Sequence, residues 1–160
     1  MDLFNVTTID QIKKIKEKYP GKKIGFTCSC FDLLHTGHII MLEDCKKQCD
    51  ILVIGLQTDP TIDRPTTKNT PVQSFYERDL MIRSIKYIDE IINYATEADL
   101  YKILQELKPD VRIIGSDWKG KQYTGHDLDT IPIYWHDRTH DFSTTNLRRR
   151  IYLAESEKHT

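Results

Sequence analysis

Residues 51–57, Ile-Leu-Val-Ile-Gly-Leu-Gln, form an unbroken apolar run with no polar residue until its last position. A strand that faces water on one side alternates apolar and polar residues. A run like this one suits a strand covered on both faces, the usual state of a central strand in a parallel sheet. Parallel strands need crossover connections, so helices must lie between them. The flanking sequence supplies these. Ile9, Ile12 and Ile15 recur with helical rhythm up to Pro20-Gly21, and 22–28 reads as a strand. Residues 36–47 read as a helix with Ile39, Ile40, Met41 and Leu42 on its core side. After a loop with three prolines (58–71), a helix over 74–87 leads to a strand at 89–94, a helix at 97–107 and a strand at 110–115. A Gly-rich, charged loop, a strand at 131–135 and a last helix opening at Ser143 complete the chain. Strand and helix patterns alternating at this spacing predict an α/β fold: a Rossmann-like, doubly wound, five-stranded parallel sheet with helices on both faces. In such sheets ligands bind at the carboxyl ends of the strands.

The 160 residues suit one domain, with its core at about 22–151 after a short N-terminal helix. A net charge of −1 and a pI near 6.6 argue against a nucleic-acid partner. No apolar run approaches a membrane span and the first residues lack a secretory pattern, so no membrane partner and a cytoplasmic location are expected. Cys28, Cys30, Cys45 and Cys49 lack the spacings of a trusted zinc site and read as cytosolic thiols, with no protein-held metal expected.

The segment Cys30-Phe31-Asp32-Leu33-Leu34-His35-Thr36-Gly37-His38 follows a predicted strand and opens a predicted helix. Residues three apart share a helix face, so His35 and His38 can address one ligand. Helix N-termini favour phosphate, and Gly37 allows close approach to the backbone. Asp32 suits either ordering of the loop or approach to a metal.

This segment resembles the H-x-G-H signature of the nucleotidyltransferase superfamily. Further similar segments follow in order: Thr58-Asp59, Tyr76 to Arg78, Lys86 to Ile92, Gly115 to Lys121 and Arg138 to Thr145. Together they are most similar to bacterial glycerol-3-phosphate cytidylyltransferases over about residues 22–151. The N-terminal helix is more similar to heptose-phosphate nucleotidyltransferase domains. The resemblance implies in-line transfer of CMP from CTP, with Mg²⁺, to a small phosphorylated alcohol. The products would be a CDP-linked precursor of a cell-surface polymer and pyrophosphate, made by a homodimer. It implies catalytic roles for His35, His38 and Arg138, and nucleotide contacts from Cys30, Phe31, Gly37, Lys86, Asp117, Trp118, Ser143, Thr144 and Thr145. It implies acceptor contacts from Asp59, Arg64, Lys68 and Arg78. Arg148, Arg149 and Arg150 read as a solvated basic face, and His140 and Asp141 fall where the family varies.

Departures from the pattern lie mostly on the acceptor side. Lys86 stands where arginine is usual, Leu100 near an expected lysine, and Ser29 at a common glycine. Between Asp59 and Tyr76 the only cations are Arg64 and Lys68, where relatives are lysine-rich. Ready binding of CTP with poor use of glycerol 3-phosphate is therefore expected. Alternatives are ATP as donor, a sugar phosphate or phosphoethanolamine as acceptor, and a catalytically silent nucleotide-binding regulator. A tRNA synthetase fragment fits less well, for want of an anticodon-binding region.

Overall fold

A computed structural model describes residues 3–158, with the side chains of residues 3–7 left aside. Its elements are α1 (Leu3–Lys18), β1 (Ile24–Ser29), α2 (Thr36–Lys47), β2 (Ile51–Gln57), α3 (Phe75–Arg83) and β3 (Glu90–Tyr94), then α4 (Glu97–Leu107), β4 (Val111–Gly115), β5 (Ile133–His136) and α5 (Thr144–Glu157). All five strands are parallel, in the order β3-β2-β1-β4-β5. This is the expected doubly wound sheet, and every residue of β2 is buried. Strand order reverses at β1, between β2 and β4, which opens a crevice over the carboxyl ends of β1 and β4.

The core has two layers. On one face Ile12 and Ile15 of α1 and Leu100, Ile103, Leu104 and Leu107 of α4 pack on Phe26, Val53, Ile92 and Tyr94. On the other, Leu42 and Cys45 of α2 and Ile82 of α3 pack on Leu52, Ile54, Leu56 and Ile113. Two expectations are corrected by helical geometry. Ile9 is 48% exposed, because each three-residue step turns 300° and carries it off the face shared by Ile12 and Ile15. In α2 only Leu42 of the four expected core residues is fully buried, since four consecutive residues fan around most of a helix.

Helix starts are chemically specified. Ser74 with Glu77 and Thr96 with Asp99 form reciprocal capping boxes at α3 and α4. The last strand begins and ends later than expected, at Ile133–His136, which takes His136 from the following loop into the sheet. Among the described residues all four cysteines are free thiols and no helix is long and apolar enough to cross a membrane.

Candidate active site

The chain leaves β1 through a tight, strained loop. Phe31 and Leu33 adopt left-handed backbone at φ 50° and 49°, which costs a residue with a side chain of order 1–3 kcal/mol each. Neighbours hold that loop in place. The buried Asp32 carboxylate accepts the backbone N–H groups of Val72 and Gln73, each at 2.9 Å, and pairs with Arg148 at 3.1 Å. The Gln73 side chain accepts Leu33 N–H at 2.8 Å. Asp32 thus orders the loop, and Arg148 is an ion-pair partner rather than part of a solvated face.

The loop delivers His35 to the N-cap of α2. Its Nδ1 accepts Gly37 N–H at 3.1 Å, while Nδ1 of His38 accepts His35 N–H at 3.3 Å. The rings stack with centroids 3.9 Å apart. An Nδ1 that accepts a hydrogen bond carries no proton, so each neutral ring bears its proton on Nε2. Neutrality is enforced by the surroundings. Burial, then His35, then Arg138 lower the His38 pKa to about 3, against a partial opposing pull from Asp32, and burial with Arg138 and His140 lowers that of His35. The pair is therefore a set of two Nε2–H donors at a helix N-terminus.

Helix α5 supplies a second N-terminus. Ser143 caps it by accepting Asn146 N–H at 3.1 Å, and Thr144 Oγ1 lies 3.3 Å from His35 Nε2. Arg138 donates to Phe142 O at 3.0 Å. That same carbonyl explains Gly37: a Cβ there would stand 2.9 Å from Phe142 O. The two helix starts are close because residue 37 has no side chain.

These groups border one cavity of about 850 Å³ over the carboxyl ends of the strands. Cys30, His35, Gly37, His38, Arg138, Ser143 and Thr144 line it, as do Asp117 and Trp118 beyond β4. Trp118 is 41% exposed, so it is no buried structural residue. Arg64 and Lys68 line the far side, where Arg64 pairs with Glu97 at 2.7 Å.

Five expected site residues lie outside the lining. Lys86 sits in the turn before β3, at the amino end of a parallel strand and so at the edge of the sheet opposite the cavity. Arg78 is 1% exposed and donates to the carbonyls of Gln73, Cys30, Gln57 and Thr58, stitching the ends of β1 and β2 together. Phe31 is buried, with its ring 5.3 Å from that of His38. Asp59 turns away to accept both the N–H and the hydroxyl of Thr61, and Thr145 is exposed beside the cap. Neighbouring Tyr76 is 71% exposed and Glu77 serves the α3 cap.

Other lining residues escaped the sequence reading. Arg112, the second residue of β4, is 5% exposed and donates to Thr124 O, with its guanidinium 5.4 Å from the Tyr123 ring. Among the described residues no carboxylate lies within ion-pairing distance of it. An arginine inside an apolar strand was the available signal. His136 and His140 also line the cavity, each with a buried Nε2 that has no hydrogen-bond partner among the described residues. His140 lies in a variable stretch of the resembling family, and His136 falls outside every motif.

Residues 26–150 match the family model described as cytidylyltransferase-like. A protein named bifunctional protein HldE from Aliarcobacter butzleri is 31% identical over 157 residues, covering 96% of this chain and 32% of its own. One of the same name from Paramagnetospirillum magneticum is 38% identical over 108 residues, covering 68% and 22%. The chain thus spans about a third or less of the length of these curated relatives. Among solved structures, the lipopolysaccharide core biosynthesis protein from Thermoplasma volcanium superposes with TM-score 0.60 at 27% identity, covering 77% of this chain and 100% of that one. A pantoate-β-alanine ligase from Francisella tularensis (TM-score 0.61, 19% identity, covering 88% and 70%) shares the fold.

Proposed function

Because the chain belongs to the cytidylyltransferase-like family of nucleotidyltransferases, we propose that its cavity joins the nucleotidyl group of a nucleoside triphosphate to the phosphate of a hydroxyl-rich acceptor of the sugar-phosphate class. The observation that carries the acceptor end is Arg112. A buried guanidinium without a countercharge is costly, and binding an anion removes that cost. Glu97, Tyr101, Tyr123 and Asp127 line the same region and offer several hydrogen-bonding groups to hydroxyls.

In this reading an oxygen of the acceptor phosphate attacks the α-phosphorus in line. The new O–P bond forms as the bond to the β-phosphate oxygen breaks, and pyrophosphate leaves with the electron pair. No covalent enzyme intermediate is needed. His35 and His38 donate from Nε2 to phosphate oxygens, Arg138 adds a fixed cation, and Ser143 and Thr144 at the start of α5 hold the departing end. Mg²⁺ would shield the triphosphate when bound. The donor set fits an ion that arrives with the nucleotide: Asp32 already accepts three hydrogen bonds, and no group of three potential metal ligands exists among the described residues.

CTP is the donor that the family resemblance supports. ATP is a second reading. A sugar-phosphate acceptor is favoured because similarity to the HldE protein of Aliarcobacter butzleri covers 96% of the chain and so extends into α1, the helix that resembles heptose-phosphate nucleotidyltransferase domains, whereas resemblance to the glycerol-3-phosphate enzymes begins near residue 22. Pyrophosphate release with CTP and with ATP, across sugar phosphates, glycerol 3-phosphate and phosphoethanolamine, tests the reading. Sugar phosphates should give the highest kcat/KM, and Arg112→Leu should raise the acceptor KM with little change in the nucleotide KM. Best use of glycerol 3-phosphate would restore the simpler family assignment.

A further inference from the structure

The cavity distributes its charge unevenly. Arg64, Lys68 and Arg112 line the wing toward α4, and Arg138 stands beside the histidine pair. Met41, Gly115, Asp117, Trp118 and His136, which line the cavity at and beyond the carboxyl ends of β4 and β5, include no lysine or arginine. If phosphates occupy the cationic regions, as proposed above, an uncharged group belongs here, and the uncharged part of a nucleotide is its base and sugar.

His136 lies opposite Gly115 in the β4–β5 register and is 4% exposed. Its Nδ1 is 2.7 Å from Asp44 Oδ2 on α2. An ionised carboxylate only accepts, so Nδ1 carries the proton, and whenever the ring holds a single proton its Nε2 presents a lone pair. That Nε2 is enclosed and has no partner among the described residues. Buried polar atoms are almost always paired, and each exception calls for an explanation.

We infer that His136, held in one tautomer by Asp44, is a specificity residue whose Nε2 accepts a hydrogen bond from the exocyclic amino group of the base once the side chains that enclose it part for the ligand. Cytosine and adenine both carry such a group. Uracil and hypoxanthine place a carbonyl oxygen there, which would set two lone pairs face to face. The inference rests on the nucleotidyl-transfer reading but is tested by binding alone, so each can fail without the other.

The carboxylate also offers a way to reverse the preference. Asp44 Oδ1 accepts from Tyr134 Oη at 3.3 Å and from Gln48 Nε2 at 3.4 Å. In Asp44→Asn these two donors keep the amide oxygen at the Oδ1 position and turn the amide nitrogen toward His136. Nδ1 then accepts, the proton moves to Nε2, and the site favours a carbonyl.

The experiment is isothermal calorimetry with the pairs CTP/UTP and ATP/ITP in Mg²⁺ buffer, with melting curves for every variant. Wild-type protein should bind the amino member of its preferred pair roughly 10–100-fold more tightly, the discrimination expected when a buried acceptor is left unpaired. His136→Leu should bring that ratio to about one, and Asp44→Asn should lower or invert it. A wild-type ratio near one overturns the inference, as does a folded His136→Leu that keeps the wild-type ratio or weakens both members equally. Should His136→Leu not fold, an unchanged ratio in Asp44→Asn overturns it. Tight nucleotide binding with the expected ratios but no pyrophosphate release with any acceptor would sink the transfer reading and leave this one standing. No binding of any of the four would sink both.

Discussion

Two imidazoles stacked 3.9 Å apart would repel if both were charged, and the structure keeps them neutral. His38→Ala should lower kcat/KM by roughly 10²–10³-fold, the usual cost of one preorganised donor, and cost about 1 kcal/mol of stability because the His35 N–H loses its acceptor. His35→Ala should cost a similar factor and also about 1 kcal/mol of stability, since His35 caps α2 as well. Turnover near wild type in both variants would remove the histidine pair from the mechanism. A pH experiment tests their neutrality. His38 has a folded pKa of about 3 against an ordinary value near 6.5, so the unfolded chain binds the extra proton between these values. Stability is therefore full above about pH 6.5 and is lost as pH falls toward 3. Between pH 7 and 5.5, above the range where ordinary carboxylates titrate, denaturant midpoints should decline in the wild type, and His38→Asn should flatten that slope. An identical slope in the variant would mean that His38 is not the buried neutral group.

At the scale of elements, the active-site loop is held by partners distant in sequence. Asp32 links residues 72–73 and Arg148 of α5, and Arg148 also donates to Thr70 O at 3.0 Å. Arg148→Ala should cost about 1–3 kcal/mol in chemical denaturation, and Asp32→Ala at least as much because two backbone N–H groups lose their acceptor. Both should weaken nucleotide binding although Arg148 does not line the cavity. A substitution that changes neither stability nor binding would show that α5 is positioned by something else. Arg149→Ala, which removes an exposed side chain, serves as the control.

At the scale of the molecule, the reversal of strand order at β1 brings residues from positions 27 to 144 around one cavity. The family resemblance implies a two-fold dimer, and α3 offers a surface for one. Tyr76 is 71% and Leu80 52% exposed, four residues apart on one helix face, with Val72 61% exposed just before the helix. Sedimentation should give twice the 18.8 kDa monomer mass, and Leu80→Glu should shift the population toward monomer. Monomer alone at assay concentrations would exclude the dimer.

The helix and strand order and the parallel sheet were legible because burial on both faces imposes apolar runs, and because caps such as Ser74 with Glu77 are local chemistry. The placing of His35, Gly37 and His38 at one helix start was legible from residue types that follow a strand and open a helix, while Arg138 and Ser143 were joined to them through the family resemblance. Long-range geometry was not. Arg78 reads as an acceptor contact in a local motif, yet four backbone carbonyls from three separate segments claim it. Lys86 precedes a strand, and only the common direction of all five strands shows that this puts it at the wrong edge. His136 belongs to no local pattern, and Arg112 stands out only as an arginine inside an apolar strand. Their importance comes from what surrounds them, a missing countercharge in one case and an unpaired nitrogen in the other. Sequence can state which polar groups a chain carries, but only the packed structure determines which of them are left without partners.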